Sequence, residues 1–258
     1  MKPRAWDIGP GTPTPTPAIS AAAQRAVGYL EATHHPGALW GTALREDGDD
    51  VGVSGWNVLA LRSAERAGLA VNRRIFEDVA AYCESITDDE GYCERFRGDA
   101  LKNGKRHYTS TAQSALGRHH SGRLPATDRR KALDLLGLRP PERSGWLQFI
   151  PEDERAPRQG DVTELKGRHV AGADYMSGAV DLDYVFHGTV ALFALDSEGA
   201  AWRAWNVSLV KTLLSTQHQR TEGCLGGSWG DGAFSTALAC LSLEIYYREA
   251  PPSWLGPR

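Results

Sequence analysis

Two short acidic stretches hold the residue types best suited to chemistry. Residues 47–50 read Asp-Gly-Asp-Asp, and residues 181–188 read Asp-Leu-Asp-Tyr-Val-Phe-His-Gly. Clustered carboxylates cannot all ionise cheaply, so the pKa of one rises and a carboxylic acid survives near neutral pH, ready to give a proton. In the first stretch the candidates for that role are Asp47, Asp49 and Asp50. The same residues also suit a structural role. Asp47-Gly48-Asp49 favours a turn, and Asp50 is a good helix cap whose negative charge matches a helix amino terminus. That dipole favours the ionised form and opposes an acid unless burial outweighs it. In the second stretch, Asp181 and Asp183 with Tyr184, Phe186 and His187 make an acidic, aromatic rim fitted to an apolar body with a polar or cationic end. Capping of the following helix by Asp181 or Asp183 is the competing use.

Metal and nucleophile chemistry find less support. Cys83, Cys93, Cys224 and Cys240 contain no Cys-x-x-Cys pair and no dense framework, so reduced thiols are expected; Cys83 and Cys93 could bridge in an exported chain. Cys240 falls in an apolar helical run, where a thiol is expected to behave as a small hydrophobe. Cys93, His107, His119 and His120 lack ligand spacing, and adjacent histidines such as His34-His35 are expected on the solvated surface. No metal and no cofactor are expected. Dinucleotide and phosphate loops, the Gly-x-Ser-x-Gly elbow and the His-Glu-x-x-His helix are absent from the sequence.

The 258 residues are 41% hydrophobic, enough for one sizeable core, and the formal net charge of −3 offers no basic surface for nucleic acid or anionic lipid. No apolar run is long enough to span a membrane, and the first residues lack the apolar middle of a secretory signal. A cytoplasmic location is expected for the chain as written. Thr12 to Pro17 alternates Thr and Pro, a stiff spacer of the kind that tethers a domain, so an exported or tethered setting fits a longer chain.

The elements that must position these residues are helices. Apolar residues spaced three and four apart, with helix-forming composition, predict helices over 19–32, 51–67, 72–86, 108–117, 128–136, 182–195, 200–217 and 233–248. Strand-like alternation is almost absent, so the chain is predicted to be all-α. Four helices share a pattern of small then aliphatic residues ending in Leu: GWNVLAL, STAQSAL, TVALFAL and STALACL. Their last residues, Leu61, Leu116, Leu195 and Leu241, stand 55, 79 and 46 residues apart, which fits a helix-pair repeat near fifty with one insertion. That insertion is residues 139–180, rich in proline and charge. The expected layout is a leader (1–18), a repeat domain (19–250) and a tail (251–258).

On these residues the sequence resembles the prenyltransferase and squalene cyclase repeat superfamily, over roughly residues 19–248. QHQRTEGCLGGSW (217–229) is similar to the QW repeat, with Gln217 or Gln219, Gly227 and Trp229 in its positions, and HPGALWG (35–41) is a weaker copy. The resemblance implies an α/α toroid of about five helix pairs, an inner ring inside an outer one. Trp would plug gaps between pairs, Gln would bond exposed helix ends, and small residues would let inner helices crowd together. It also implies, for residues 47–50, the Asp-x-Asp-Asp acid of class II terpenoid cyclases, with Asp49 as proton donor, Asp47 and Asp50 supporting, and Trp56, Tyr184 and Phe186 stabilising cations. Val-Gly-Val follows where those cyclases have Thr-Ala, and the chain has length for one toroid rather than two.

Residues 181–188 are similar to the segment giving the zinc histidine of protein prenyltransferase β subunits. Here the expected position holds Asp183 or Tyr184, and His187 is displaced. The complement-type thioester sequence is missing. Two functions are therefore expected in order: a repeat domain of unassigned activity that binds an apolar, isoprenoid-like molecule or a protein segment in a central cavity lined by Trp56, Asp181, Asp183, Tyr184, Phe186, His187 and Trp229, and then a compact protonation-initiated cyclase.

Overall fold

A computed structural model describes residues 17–41, 49–97, 107–141, 180–217, 229 and 233–248. Asp47, Gln219, Gly227, Cys224, most of the leader, the tail and 142–179 of the insertion lie outside them. The fold is all-α, as the periodicity predicts. The helices are α1 (Pro17–Ala32), α2 (Val51–Arg66), α3 (Arg74–Ser85), α4 (Tyr108–His120), α5 (Ala126–Gly137), α6 (Leu182–Asp196), α7 (Ala200–Thr216), α8 (Ala233–Leu243) and α9 (Ile245–Arg248). Among the described residues there is no strand, only isolated antiparallel bridges joining Gly41 to Asp49 and Thr87 to Cys93. The helix predicted over 233–248 is interrupted at Glu244.

The chain forms two compact units, one reaching to Pro125 and the other running from Ala126 to Glu249. In the first, α2 packs on α1, α3 and α4, and α3 packs on α4. Its core joins Val27 of α1, Val51, Val58 and Leu61 of α2, and Ile75, Phe76, Val79 and Cys83 of α3 to Leu39, Trp40, Ile86 and Cys93. In the second, α6 packs on α5, α7, α8 and α9, and α5 also packs on α7.

Each unit holds one enclosed helix. Every residue of α4 from Ser110 to Arg118 is buried, and α6 is buried on all sides from Val185 to Phe193. The two helices are enclosed on different grounds: α6 is aliphatic and aromatic with little polar surface, whereas α4 carries small Ser, Thr, Ala and Gly residues that let neighbours close over it and buries Gln113 and Arg118 with them. By contrast α3 and α5 each keep an exposed polar side, the usual amphipathic arrangement, whereas α7 leaves Val207, Val210 and Leu214 exposed.

Small residues admit side chains into these packed faces. A Cβ on Gly188 of α6 would lie 2.6 Å from the Trp205 ring of α7, and a Cβ on Gly55 of α2 would lie 2.6 Å from the Gln113 side chain of α4. The close approach that the sequence predicts for backbones is thus made by an indole and a carboxamide.

Candidate functional site

Asp50 and Asp181 are both helix caps, Asp50 of α2 and Asp181 of the enclosed α6. Asp50 accepts a hydrogen bond from Gly52 N at 2.7 Å and caps α2. Its two oxygens also meet a guanidinium fork: Arg95 Nε donates to Oδ1 at 3.2 Å and Nη2 to Oδ2 at 3.1 Å. The Asp50 side chain is 1% exposed. Asp49 accepts from Leu39 N at 3.2 Å and meets His35 Nδ1 at 3.3 Å, closing the corner that the Gly41–Asp49 bridge begins. Both carboxylates therefore hold chain segments together. Trp56 is half-buried one turn into α2.

Asp181 caps α6 through a 3.0 Å bond from Tyr184 N. Among the described residues no guanidinium fork faces it. Burial pushes its carboxyl from the usual 3.8 up to about 6; the Asp183 charge adds to the rise, while the Tyr184 N–H and the nearby His187 oppose it. One turn further along, fully buried His187 places Nδ1 3.0 Å from the Asp183 carbonyl and 3.4 Å from Asp183 Oδ1. A carbonyl acceptor at Nδ1 puts a proton there in the neutral ring and leaves Nε2 as the basic nitrogen. Tyr184 donates its hydroxyl to the Arg139 carbonyl at 2.9 Å and sets its ring edge-on to Trp205, with centroids 5.7 Å apart. Phe186 is buried and packs edge-on against the His187 ring.

The amino-terminal end of α6 thus gathers Asp181, Asp183, Tyr184 and His187, the group read from residues 181–188. A carboxyl that exchanges its proton near pH 6, beside an oriented imidazole, can act as acid, base or hydrogen-bond donor toward a bound polar group.

Trp229 lies elsewhere in this unit and is structural. Its indole N–H donates to the Leu213 carbonyl at 2.8 Å, in the last turn of α7, and its backbone N–H donates to the Thr236 hydroxyl at 3.1 Å, in the first turn of α8. Trp40 in the first unit does the same. Its indole N–H reaches the Leu30 carbonyl at 2.9 Å, in the last turn of α1, and its backbone N–H reaches the Ser54 hydroxyl at 3.1 Å, in the first turn of α2. Both tryptophans add a donor to a carbonyl in the last turn of one helix and tie it to the next helix. At Leu213 this bond is made by the indole, alongside the backbone N–H of Gln217 at 3.1 Å.

Two expectations about single residues are corrected. Cys240 is exposed on α8, because its neighbours Leu238 and Ala239 take the buried face. His34 is buried rather than solvated: its ring packs edge-on to Trp40 at 4.6 Å, its Nε2 lies 3.2 Å from the Ala38 carbonyl, and desolvation lowers its pKa. It borders a cleft of about 560 Å³ in the first unit, lined also by Glu31, Asn72, Arg74 and Asp78. The sequence reading missed this cleft, because it arises where the turn after α1 meets the start of α3 through bonds from Gly37 N to Asp78 and from Asn72 N to Glu31. Polar residues so far apart in sequence carry no shared motif.

Among the described residues no group of three or more His, Cys, Asp or Glu side chains is placed to hold a metal ion, and no helix is long and apolar enough to cross a membrane. The class defined so far is an all-α protein of two helical units, each with an enclosed helix and an indole brace. No family model, no curated protein and no solved structure matches the chain.

Proposed function

We propose that the chain is a toroid domain of the squalene cyclase and prenyltransferase repeat kind, and that it binds an apolar, isoprenoid-like ligand or a protein segment without turning it over. The observation carrying this reading is the repeated brace. Trp40 and Trp229, from the two stretches similar to QW repeats, make the same pair of bonds between an outgoing and an incoming helix. Two unrelated turns have little reason to share both an indole-to-carbonyl bond and an amide-to-hydroxyl bond. Enclosed helices packed against amphipathic ones support the inner and outer layers of such a repeat.

The ligand is assigned to the end of α6, where Tyr184 supplies an aromatic face and Asp181 and Asp183 supply acceptors for a polar or cationic end. Binding is favoured over turnover by the use made of Asp49 and Asp50. Their oxygens serve a cap, an ion pair and a corner, which suits a brace better than a proton donor.

The test pairs binding with product analysis. The protein is titrated with squalene and with linear prenyl diphosphates, following the fluorescence of Trp205 beside Tyr184, and the mixtures are then extracted for cyclised hydrocarbon. Saturable binding without product is expected, with Asp181→Asn and Tyr184→Phe weakening it several-fold. Cyclised product abolished by Asp49→Asn would establish the cyclase instead. Absence of binding across the panel, and of any peptide captured at this end of α6, would remove the ligand reading.

A further inference from the structure

Cys83 and Cys93 come together through an arrangement that the proposed function does not use. Cys83 ends the buried face of α3, and the chain then turns through exposed Asp88, Asp89 and Glu90 and comes back beside itself at the Thr87–Cys93 bridge. Three bonds fix that return. Glu94 N donates to the Ile86 carbonyl at 3.1 Å, Cys93 N donates to the Thr111 hydroxyl at 3.1 Å, and the Thr87 hydroxyl donates to the Cys83 carbonyl at 2.6 Å. Cys93 Sγ consequently lies 4.0 Å from the carbonyl oxygen of Cys83 and 3.4 Å from that of Glu94, and the two buried thiols interact. Both side chains are buried, at 2% and 1% exposure.

The surroundings of this pair are polar for a core. Ser114 contacts both thiols, Thr87 contacts Cys93, and the buried Arg118 places its positive charge near both. The hydrogen bond from Cys83, with help from Ser114, Thr87 and Arg118, holds the Cys93 thiol below its usual range, while donation to Cys93 and burial push Cys83 well up.

We infer that Cys83 and Cys93 are a redox-active dithiol, which closes to an intramolecular disulfide by exchange with a small-molecule disulfide such as oxidised glutathione. Cys93, as thiolate, attacks one sulfur of the oxidant; that S–S bond breaks, a new S–S bond joins Cys93 to one glutathione, and the other leaves as thiolate. Cys83 passes its proton to the departing thiolate and attacks Cys93 Sγ, expelling the second glutathione. Two protein thiols are oxidised, one disulfide is reduced to two thiols, and protons balance. Access comes through opening of the exposed 88–91 turn, which carries Cys93 on its returning arm. Once Cys93 has reacted, the nearness of Cys83 makes the second step effectively unimolecular.

The test uses the full chain with the other two cysteines replaced, C224S/C240S, so that neither member of the pair is altered. The folded protein is incubated in glutathione buffers of increasing oxidised fraction, quenched with acid and weighed intact. Expected are a loss of about 2 Da, for the two hydrogens removed, a peptide cross-linking Cys83 to Cys93 in a non-reducing digest, and full reversal by dithiothreitol. In C83A/C224S/C240S the reaction should stop at a glutathione adduct on Cys93. An unchanged mass in the folded protein, oxidation only after denaturant is added, or stable glutathione adducts without the cross-link would each overturn the inference. Because the first experiment leaves both core residues in place, failure of the C83A variant to fold does not affect its outcome.

Discussion

Asp50 and Asp181 do the same mechanical work in different electrical surroundings. Each caps a helix by accepting a backbone N–H, but Asp50 faces the Arg95 fork whereas Asp181 shares its surroundings with a second carboxylate. The consequence runs against the sequence motif. Residues 47–50 carry the sharper resemblance to a catalytic acid, yet the carboxyl whose pKa is raised to about 6 belongs to the looser stretch at 181. A string of acidic residues does not fix acidity by itself; at Asp181 burial raises the pKa, with a second carboxylate adding to the rise.

The largest way to disturb this comparison is to hollow out the unit that holds Asp181. Trp205 is 1% exposed, donates Nε1–H to Thr189 at 2.9 Å and fills the space that Gly188 leaves. Trp205→Ala should cost about 3–5 kcal/mol, the range for deleting a buried aromatic. In urea unfolding with residue-resolved hydrogen exchange, the loss should concentrate in α6 and α7. Equal loss in α2 and α4 would mean that the two units do not respond separately.

Removing the paired cap comes next. Asp50→Ala deletes the Gly52 bond and the Arg95 pair together, and because the Arg95 side chain is 49% exposed the ion-pair part is discounted. About 2–3 kcal/mol is expected, roughly 1 from the cap and the rest from the pair. Asp50→Asn should recover the cap part alone, so urea midpoints for the two variants separate cap from charge; identical midpoints would refute that division.

The two glycines give a finer contrast. Alanine at 188 would press on an indole fixed by Thr189 and edge-packed on Tyr184, whereas alanine at 55 would press on the longer, unbranched Gln113 side chain, held by a 3.3 Å bond to the Gly52 carbonyl. Gly188→Ala should destabilise by about 1–3 kcal/mol. For Gly55→Ala the strain is set against the better helix propensity of alanine, leaving the change within about 1 kcal/mol. Thermal unfolding of the two variants decides; a larger loss at Gly55 would show that Gln113 is held as firmly as Trp205.

How far the sequence could be read follows from the range of each interaction. Helix periodicity is local, so α1 to α8 fall within a few residues of their predicted bounds, and the shared use of Trp40 and Trp229 can be suspected from their Gly-rich settings. The Asp181, Asp183, Tyr184 and His187 group lies within two turns of one helix and is legible for the same reason. Arg95 opposite Asp50, the Cys83–Cys93 contact with Arg118 and Ser114, and the cleft around His34 depend on tertiary return of the chain, which no local spacing encodes. His34 and Cys240 were misread because exposure depends on which face a neighbour covers, and polarity alone does not say.

The last effect is the most selective, because it gives the two units opposite responses to pH. Asp181 has a folded pKa of about 6 against 3.8 for the ordinary carboxyl, so below about 6 the native state holds a proton that the unfolded chain releases more readily. That contribution is complete below 3.8 and is lost as pH rises through 6. His120, in α4, behaves in the reverse sense. Burial, then the charges of Arg62, His119 and Arg66, lower its pKa from 6.5 to about 3, so between those values the unfolded chain binds the proton and the native state does not. Its contribution is present above 6.5 and is lost as pH falls toward 3. Between pH 4 and 6, hydrogen exchange corrected for its intrinsic pH dependence should therefore show α4 gaining protection with rising pH while α6 loses it. Asp181→Asn keeps an oxygen for Tyr184 N and should flatten the α6 response alone, and His120→Gln should flatten that of α4 alone. Slopes of the same sign in both helices, or a flattening that crosses from one unit to the other, would show that these two groups do not set the local pH response.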